Sequence, residues 1–266
     1  SGMTGTGKTT EKEFQDIYER GRNNFYSIDE GKARVDLAAC YQIFDQKGWT
    51  DGINTHLSMR IPGNHSHFLL KPDNLLFYEV KASNLIDIDF SGKVSGDGEV
   101  NKAGYVIHAA ILEARSDLNC ILHHHTDAGI AISSLKEGLL PMSQHALGFY
   151  DKVSYHNYQG VALDESEKIS IQKDLGKNNT MFLRNHGVVV CGKSIAGAYA
   201  SCDNLETACR SQLLCQNNNS NIILPSEEVK KFTSSQFDIF GDQRAVDLEW
   251  PAMLRWLDSK NIIFAE

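Results

Sequence analysis

The chain has 266 residues, 41% of them hydrophobic, enough to bury one large core. Its 26 lysines and arginines against 34 aspartates and glutamates give a formal charge of −8, which argues against the clustered cationic surface that binds a nucleic-acid backbone. No apolar run approaches the roughly 20 residues of a membrane span and the first residues carry no secretory pattern, so a cytoplasmic protein is expected, with no nucleic acid and no membrane as partner.

Residues 1–25 read as a polar leader. Within them GMTGTGKT, residues 2–9, matches the phosphate-loop pattern G-x-x-x-x-G-K-[ST], yet no buried strand precedes it to fix an anion against a helix start. Ser1 and Gly2 before Met3 read as a tag remnant, so the match is expected to be accidental. Ser27 with Glu30 predicts a helix start, and Leu37, Tyr41 and Phe44 then share one helical face before Gly48. Leu57, Met59 and Ile61 alternate with Ser58 and Arg60, and Ile86, Ile88 and Phe90 alternate with Asp87 and Asp89. Two half-buried strands are predicted, the second turning at Ser91 and Gly92 into a hairpin toward Val94. Asn101 predicts the cap of a helix with the stripe Ala103, Ile107, Ala110, Ile111 and Ala114, which feeds a strand at 120–122. Residues 127–136 read as helix, and 181–183 and 188–191 as strands meeting at the corner made by Asn185, His186 and Gly187. Cys202, Leu205, Cys209 and Leu213 mark a long helix over 194–216, stopped by the asparagine-rich run at 217–221. Residues 222–266 read as a helical extension whose Trp250 and Trp256 pack on the domain or on a neighbouring subunit. The six cysteines form no C-x-x-C pair and read as reduced core thiols.

Alternate side chains of a strand share a face, so His123 and His125 point one way, with Cα atoms about 6.6 Å apart, and His124 points the other. Two imidazoles at that spacing can converge on one metal. A third ligand must come from elsewhere, and His186, at a corner between strands, suits it by type. The same residues also fit a satisfied polar edge with His186 bonded to backbone, and the spacing alone does not choose. Three histidines with an open fourth position would suit Zn²⁺ in a catalytic site. In YHNYQG, Tyr155, His156 and Tyr158 either line a site or form an aromatic surface loop. His108 reads as a polar core residue within its helix, and Asp164, Glu165, Ser166 and Glu167 as a solvated helix start facing the helix dipole.

The segments NKAGYVIHAAILEARSDLNCILHHHT, YHNYQG and LRNHGVVVCG, with NTHLSMRIPG and LLKPDNLLFYEVKASNLIDID upstream, resemble the class II aldolase/adducin family over about residues 30–216. The resemblance implies an α/β fold, a three-layer α-β-α domain over 26–221 with a central, largely antiparallel sheet. It implies that His123, His125 and His186 hold Zn²⁺ or another divalent metal ion, and that the chain forms a homo-oligomer, a tetramer with each site near a subunit boundary. The family includes sugar-phosphate aldolases, which implies a metal-dependent lyase with a small-molecule substrate. Two departures bear on that activity. The family's acid/base glutamate falls on Gly104, which leaves the catalytic residue unassigned. The positions matching the family's phosphate pocket hold Thr55, His56, Asp73, Asn74, Lys102 and Ala103, and an aspartate there would oppose a dianion. These replacements resemble the adducin-like branch. The expectation is therefore a lyase or related enzyme acting through an enediolate on a small, unphosphorylated substrate, the alternative being a non-catalytic adducin-like interaction domain that keeps its metal site.

Overall fold

Ser27 caps the first long helix, as its spacing predicts: its Oγ accepts the Glu30 amide at 3.0 Å, and α2 (Ile28–Lys47) ends at Gly48, where φ is +75°. The computed structural model describes residues 11–20, 26–160, 165–217 and 221–266; the phosphate-loop match at 2–9, Asp164 and most of the asparagine-rich run lie outside them. An earlier helix, α1 (Glu11–Arg20), falls inside the stretch expected to be leader. It is docked: Ile17 is buried and the Tyr18 hydroxyl donates to Asp36 of α2 at 2.7 Å.

The described strands are β1 (His56–Ile61), β2 (Asn64–Leu70), β3 (Ile86–Asp89), β4 (Val94–Ser95), β5 (Cys120–His124), β6 (Val153–His156), β7 (Thr180–Leu183) and β8 (Gly187–Gly192). They form one sheet in the order β4-β3-β2-β1-β5-β8-β7-β6, antiparallel throughout except for the parallel pair β6 and β7. The predicted hairpin is there, with Ile88 opposite Val94. β2 and β6 were not legible as strands, since one opens on exposed polar residues and the other is four residues long.

Helices cover both faces. On one side α3 (Lys102–Ala114) and α6 (Glu165–Leu175) pack on Phe68, Ile88, Ile121, Met181 and Val189. On the other, α2, α7 (Ile195–Asn217) and α9 (Trp250–Ser259) pack on Leu57, Leu69, Leu122, Phe182 and Val190. This double cover corrects the half-buried reading of β1: residues of both parities are buried because a helical layer meets each face. Two short helices, α4 (Asp127–Ser133) and α5 (Gln144–Leu147), bridge β5 to β6. Five cysteines are buried and Cys215 is half-buried.

The extension packs on the domain. Trp250, Leu254 and Leu257 are buried, and the Trp250 indole donates to Asp36 at 3.1 Å. Between α8 (Glu227–Arg244) and α9 the helix widens into a π-helical stretch, Ala245–Glu249, just before Pro251. Proline has no amide to donate and crowds the preceding turn, and a wider turn accommodates both effects. Among the described residues no helix is long and apolar enough to cross a membrane.

Candidate metal centre

The centre of the sheet sets the first of the candidate ligands. β1 and β5 pair with His56 directly opposite His123, so both imidazoles stand on the face covered by α3 and α6, with ring centroids 5.2 Å apart. His123 Nδ1 donates to the Val188 carbonyl of β8 at 2.9 Å, which turns Nε2 outward. His124 goes to the opposite face, as alternation requires, against Phe44 and Trp49. Its Nε2 finds no partner there, and burial pushes its pKa down to about 3.

His125 lies one residue past β5, where its Nδ1 donates to Asp51 at 2.9 Å and its Nε2 comes 3.0 Å from His123 Nε2. His186 stands on the corner between β7 and β8, where Asn185 takes a left-handed φ of +60°. The corner closes tightly on β5. A Cβ added at Gly187 would lie 2.5 Å from the His124 carbonyl oxygen and 2.9 Å from the His125 ring, so only glycine lets His186 approach. The ring centroids of His123, His125 and His186 are 4.7 to 5.0 Å apart, and a nitrogen from each lies within 4.8 Å of the others.

This donor set fits a divalent cation. Tetrahedral zinc with Zn–N near 2.05 Å wants ligand nitrogens roughly 3.3 Å apart, within the range the trio spans. His123 and His125 each give their Nδ1–H to an oxygen, so two Nε2 lone pairs face one another at 3.0 Å, an arrangement a shared cation relieves. Burial, then neighbouring imidazoles, hold His123 well below its ordinary pKa and bring His186 down to about 4. Both are neutral, as ligands must be.

The trio opens into a cavity of about 350 Å³. Thr55 and His56 line it; Asp73, Asn74 and Lys102, expected beside them, do not. Asn74 and Lys102 are exposed, and the Asp73 amide is tied to the Glu99 carbonyl at 2.9 Å. Thr55 is buried with φ of +63°, a strained conformation for a β-branched residue, and its hydroxyl finds no partner in the protein. His56 is fixed from behind: its Nδ1 bonds His108 Nε2 at 2.9 Å, and His108 Nδ1 bonds Ser58 Oγ. His108 is thus the buried polar core residue its helix suggested. A Cβ at Gly104 would lie 2.5 Å from His56 Cδ2, so an imidazole occupies the space a larger residue at 104 would need.

Of the aromatic motif, His156 and Tyr158 line the cavity, which favours the site reading over the surface loop. Tyr155 instead stacks on Phe182, and its hydroxyl accepts the Leu139 amide. The acidic helix start is only half solvated: Glu165 is exposed, but Glu167 turns inward and lines the cavity. Arg184 also lines it, though its guanidinium is spent on the carbonyls of Ser133, Leu135 and Lys136. Asp51 and Arg184 carry no local signal of a site role, and Glu167 reads as solvated from composition, because each reaches the site through tertiary packing.

Residues 35–213 match the class II aldolase and adducin N-terminal domain, and the chain is a member of that family. A Pseudomonas aeruginosa protein whose name places it in aldolase class 2 is 42% identical over 240 residues, 88% of this chain and 92% of that protein. Mouse alpha-adducin is 43% identical over 193 residues, 71% of this chain but only 26% of adducin. A crystal structure of an aldolase II superfamily protein from Pseudomonas syringae superposes with a TM-score of 0.87 at 42% identity, over 91% of this chain and 98% of that one. An L-fuculose 1-phosphate aldolase from Glaciozyma antarctica superposes with a TM-score of 0.76 at 28% identity, over 93% and 99% of the two chains.

Proposed function

We propose that this chain is a divalent-metal-dependent lyase or related enzyme, with zinc as the natural ion, acting through an enediolate on a small, unphosphorylated oxygenated substrate. The observation that supports it is the convergence of three imidazoles on a cavity whose far wall offers a hydroxyl and amides instead of free cations. Among the described lining residues Arg184 is the one side chain with a permanent positive charge, and it is already bonded to carbonyls. Lys71, itself buried, donates to the carbonyls of Ile53, Pro72 and Asp73, and burial lowers it to about 8. A phosphate dianion would find no charge partner there.

A cation bound by His123, His125 and His186 supplies Lewis acidity toward a bidentate hydroxy-carbonyl group. The chain's own groups do the rest. Thr55 Oγ offers a substrate hydroxyl the bond it lacks in the protein. Ser58 and His108 hold the His56 ring upright against the cavity. Asp51 and the Val188 carbonyl orient the two ligand rings. The proposal includes a cytoplasmic homotetramer, a division into leader (1–25), domain (26–221) and extension (222–266), and the exposed Phe232, Ile239 and Phe240 of α8 as apolar surface for a neighbour.

The test is elemental analysis of protein purified without added metal, followed by steady-state assays. Fuculose and rhamnulose phosphates should turn over very slowly beside a panel of unphosphorylated hydroxy-ketones and hydroxy-acids. Turnover of either phosphate near the ordinary enzymatic rate, about 10 per second, refutes the substrate assignment. The likeness to alpha-adducin favours a second reading, a non-catalytic interaction domain. Protein that neither carries nor binds zinc would decide for it.

A further inference from the structure

We propose that Glu167 is the proton-carrying carboxylate of the metal cavity, positioned by His156 and Asp174. This deepens the enediolate reading above and rests on it. Gly104 offers no acid or base, and Asp51 is committed to a ligand ring. Among the described residues lining the cavity, Glu167 is the one carboxylate. It stands in the first turn of α6, where the helix dipole favours its negative form, and its side chain is 13% exposed.

The placement is built rather than incidental. Glu167 and Asp174 are seven residues apart on α6, two turns along one face. Both grip the ring of His156, the last residue of β6, itself 4% exposed. His156 Nδ1 lies 2.6 Å from Asp174 Oδ2, and Nε2 lies 3.0 Å from Glu167 Oε1. The second bond fixes Glu167, on the sheet face that carries His123.

For carbon–carbon cleavage, the Glu167 carboxylate takes the proton from the substrate hydroxyl β to the carbonyl. The O–H electron pair becomes the second bond of the departing carbonyl, and the breaking C–C pair stays with the α-carbon as the enediolate. Glu167 then returns the proton to that carbon, the enediolate pair forms the new C–H bond, and the carboxylate is restored. His156 N–H bonds to the carboxylate before it takes the proton and after it returns it, as a positioning residue.

The experiment uses the full-length, zinc-loaded protein and two probes: glycolohydroxamate, a chelating mimic of the planar enediolate, followed by calorimetry, and dihydroxyacetone in D₂O, whose carbon-bound hydrogen exchange is followed by proton NMR. Glu167→Gln should keep one zinc per chain and its hydroxamate affinity within about tenfold, while exchange falls by roughly 10² to 10⁴, the usual range for a lost acid/base group. Glu167→Ala should regain part of its exchange in added formate, which a purely structural role would not allow. Wild-type exchange in Glu167→Gln, or no response to formate in a folded, zinc-loaded Glu167→Ala, overturns the assignment of Glu167 alone. Wild-type protein that binds zinc yet neither binds hydroxamate nor exchanges dihydroxyacetone overturns the enediolate reading, and Glu167 with it.

Discussion

Thr55 concentrates two local costs in one residue, and Thr55→Gly should remove both. A β-branched residue in the left-handed region costs about 1–2 kcal/mol, and a buried hydroxyl without a partner about 1–3 kcal/mol. Against the substitution stand glycine's extra unfolded freedom, about 0.5–1 kcal/mol, and the lost burial of a methyl group, about 0.8 kcal/mol. The balance favours the variant by between about 0 and 4 kcal/mol, centred near about 2, a rise of a few degrees in Tm for a chain of this size. Scanning calorimetry with zinc saturating both proteins measures it. If the hydroxyl serves the substrate, the variant should also bind glycolohydroxamate about fivefold more weakly, the worth of about one hydrogen bond. Thr55→Val separates the legs: it keeps the strain, drops the hydroxyl, and should lose the same affinity with a smaller gain in stability. A less stable Thr55→Gly refutes the strain argument, and wild-type affinity in Thr55→Val refutes the binding role.

Replacing His125 by Ala should reduce zinc from about one per chain to near zero by elemental analysis, whereas His124→Ala, on the other sheet face, should leave it unchanged; the reverse pattern would break the ligand assignment. Asp36 is raised to about 6, mainly by burial, above its unfolded value near 3.8. The folded state therefore binds its proton more tightly, so this residue's contribution to stability falls as pH rises from about 4 to 6 and stays a fixed cost above. Two units at about 1.4 kcal/mol each make up to about 3 kcal/mol. Asp36→Asn keeps the one oxygen that accepts from both Tyr18 and Trp250, so it should be the more stable protein at pH 7.5 and no better at pH 4. Urea titrations showing a gap independent of pH would contradict this. Light scattering at micromolar concentration should give the mass of four 29.6 kDa chains, and a monomer would contradict the tetramer.

The caps at Ser27 and Asn101, the long helices and the central strands were legible because each depends on a local pattern: a side-chain acceptor before a helix, or alternation along a strand. The candidate metal trio was half legible. His123 and His125 follow from alternation, but His186 needed the family resemblance, since the Gly187 contact that brings it in joins segments far apart in sequence. Of the substituted phosphate positions, Thr55 and His56 share the cavity wall, whereas the chain turns Asp73, Asn74 and Lys102 outside it. α1 was passed over because its polar composition outweighed the inward-facing Ile17 and Tyr18. Glu167 was misread because a helix start with several acids looks solvated from composition, and only packing against His156 shows which acid turns in.

The three imidazoles belong to segments near residues 123 and 186, and His56, which faces them, comes from the far side of a long excursion through β2, β3, β4 and α3. No short piece of the growing chain can assemble the centre. Pairings this distant in sequence are costly to close and form late, so a cation bound as proposed would stabilise contacts that a folding transition state has largely yet to make. The ion should then act as a brake on unfolding and leave the refolding rate almost untouched, so that metal loading lengthens the protein's lifetime without hastening its birth.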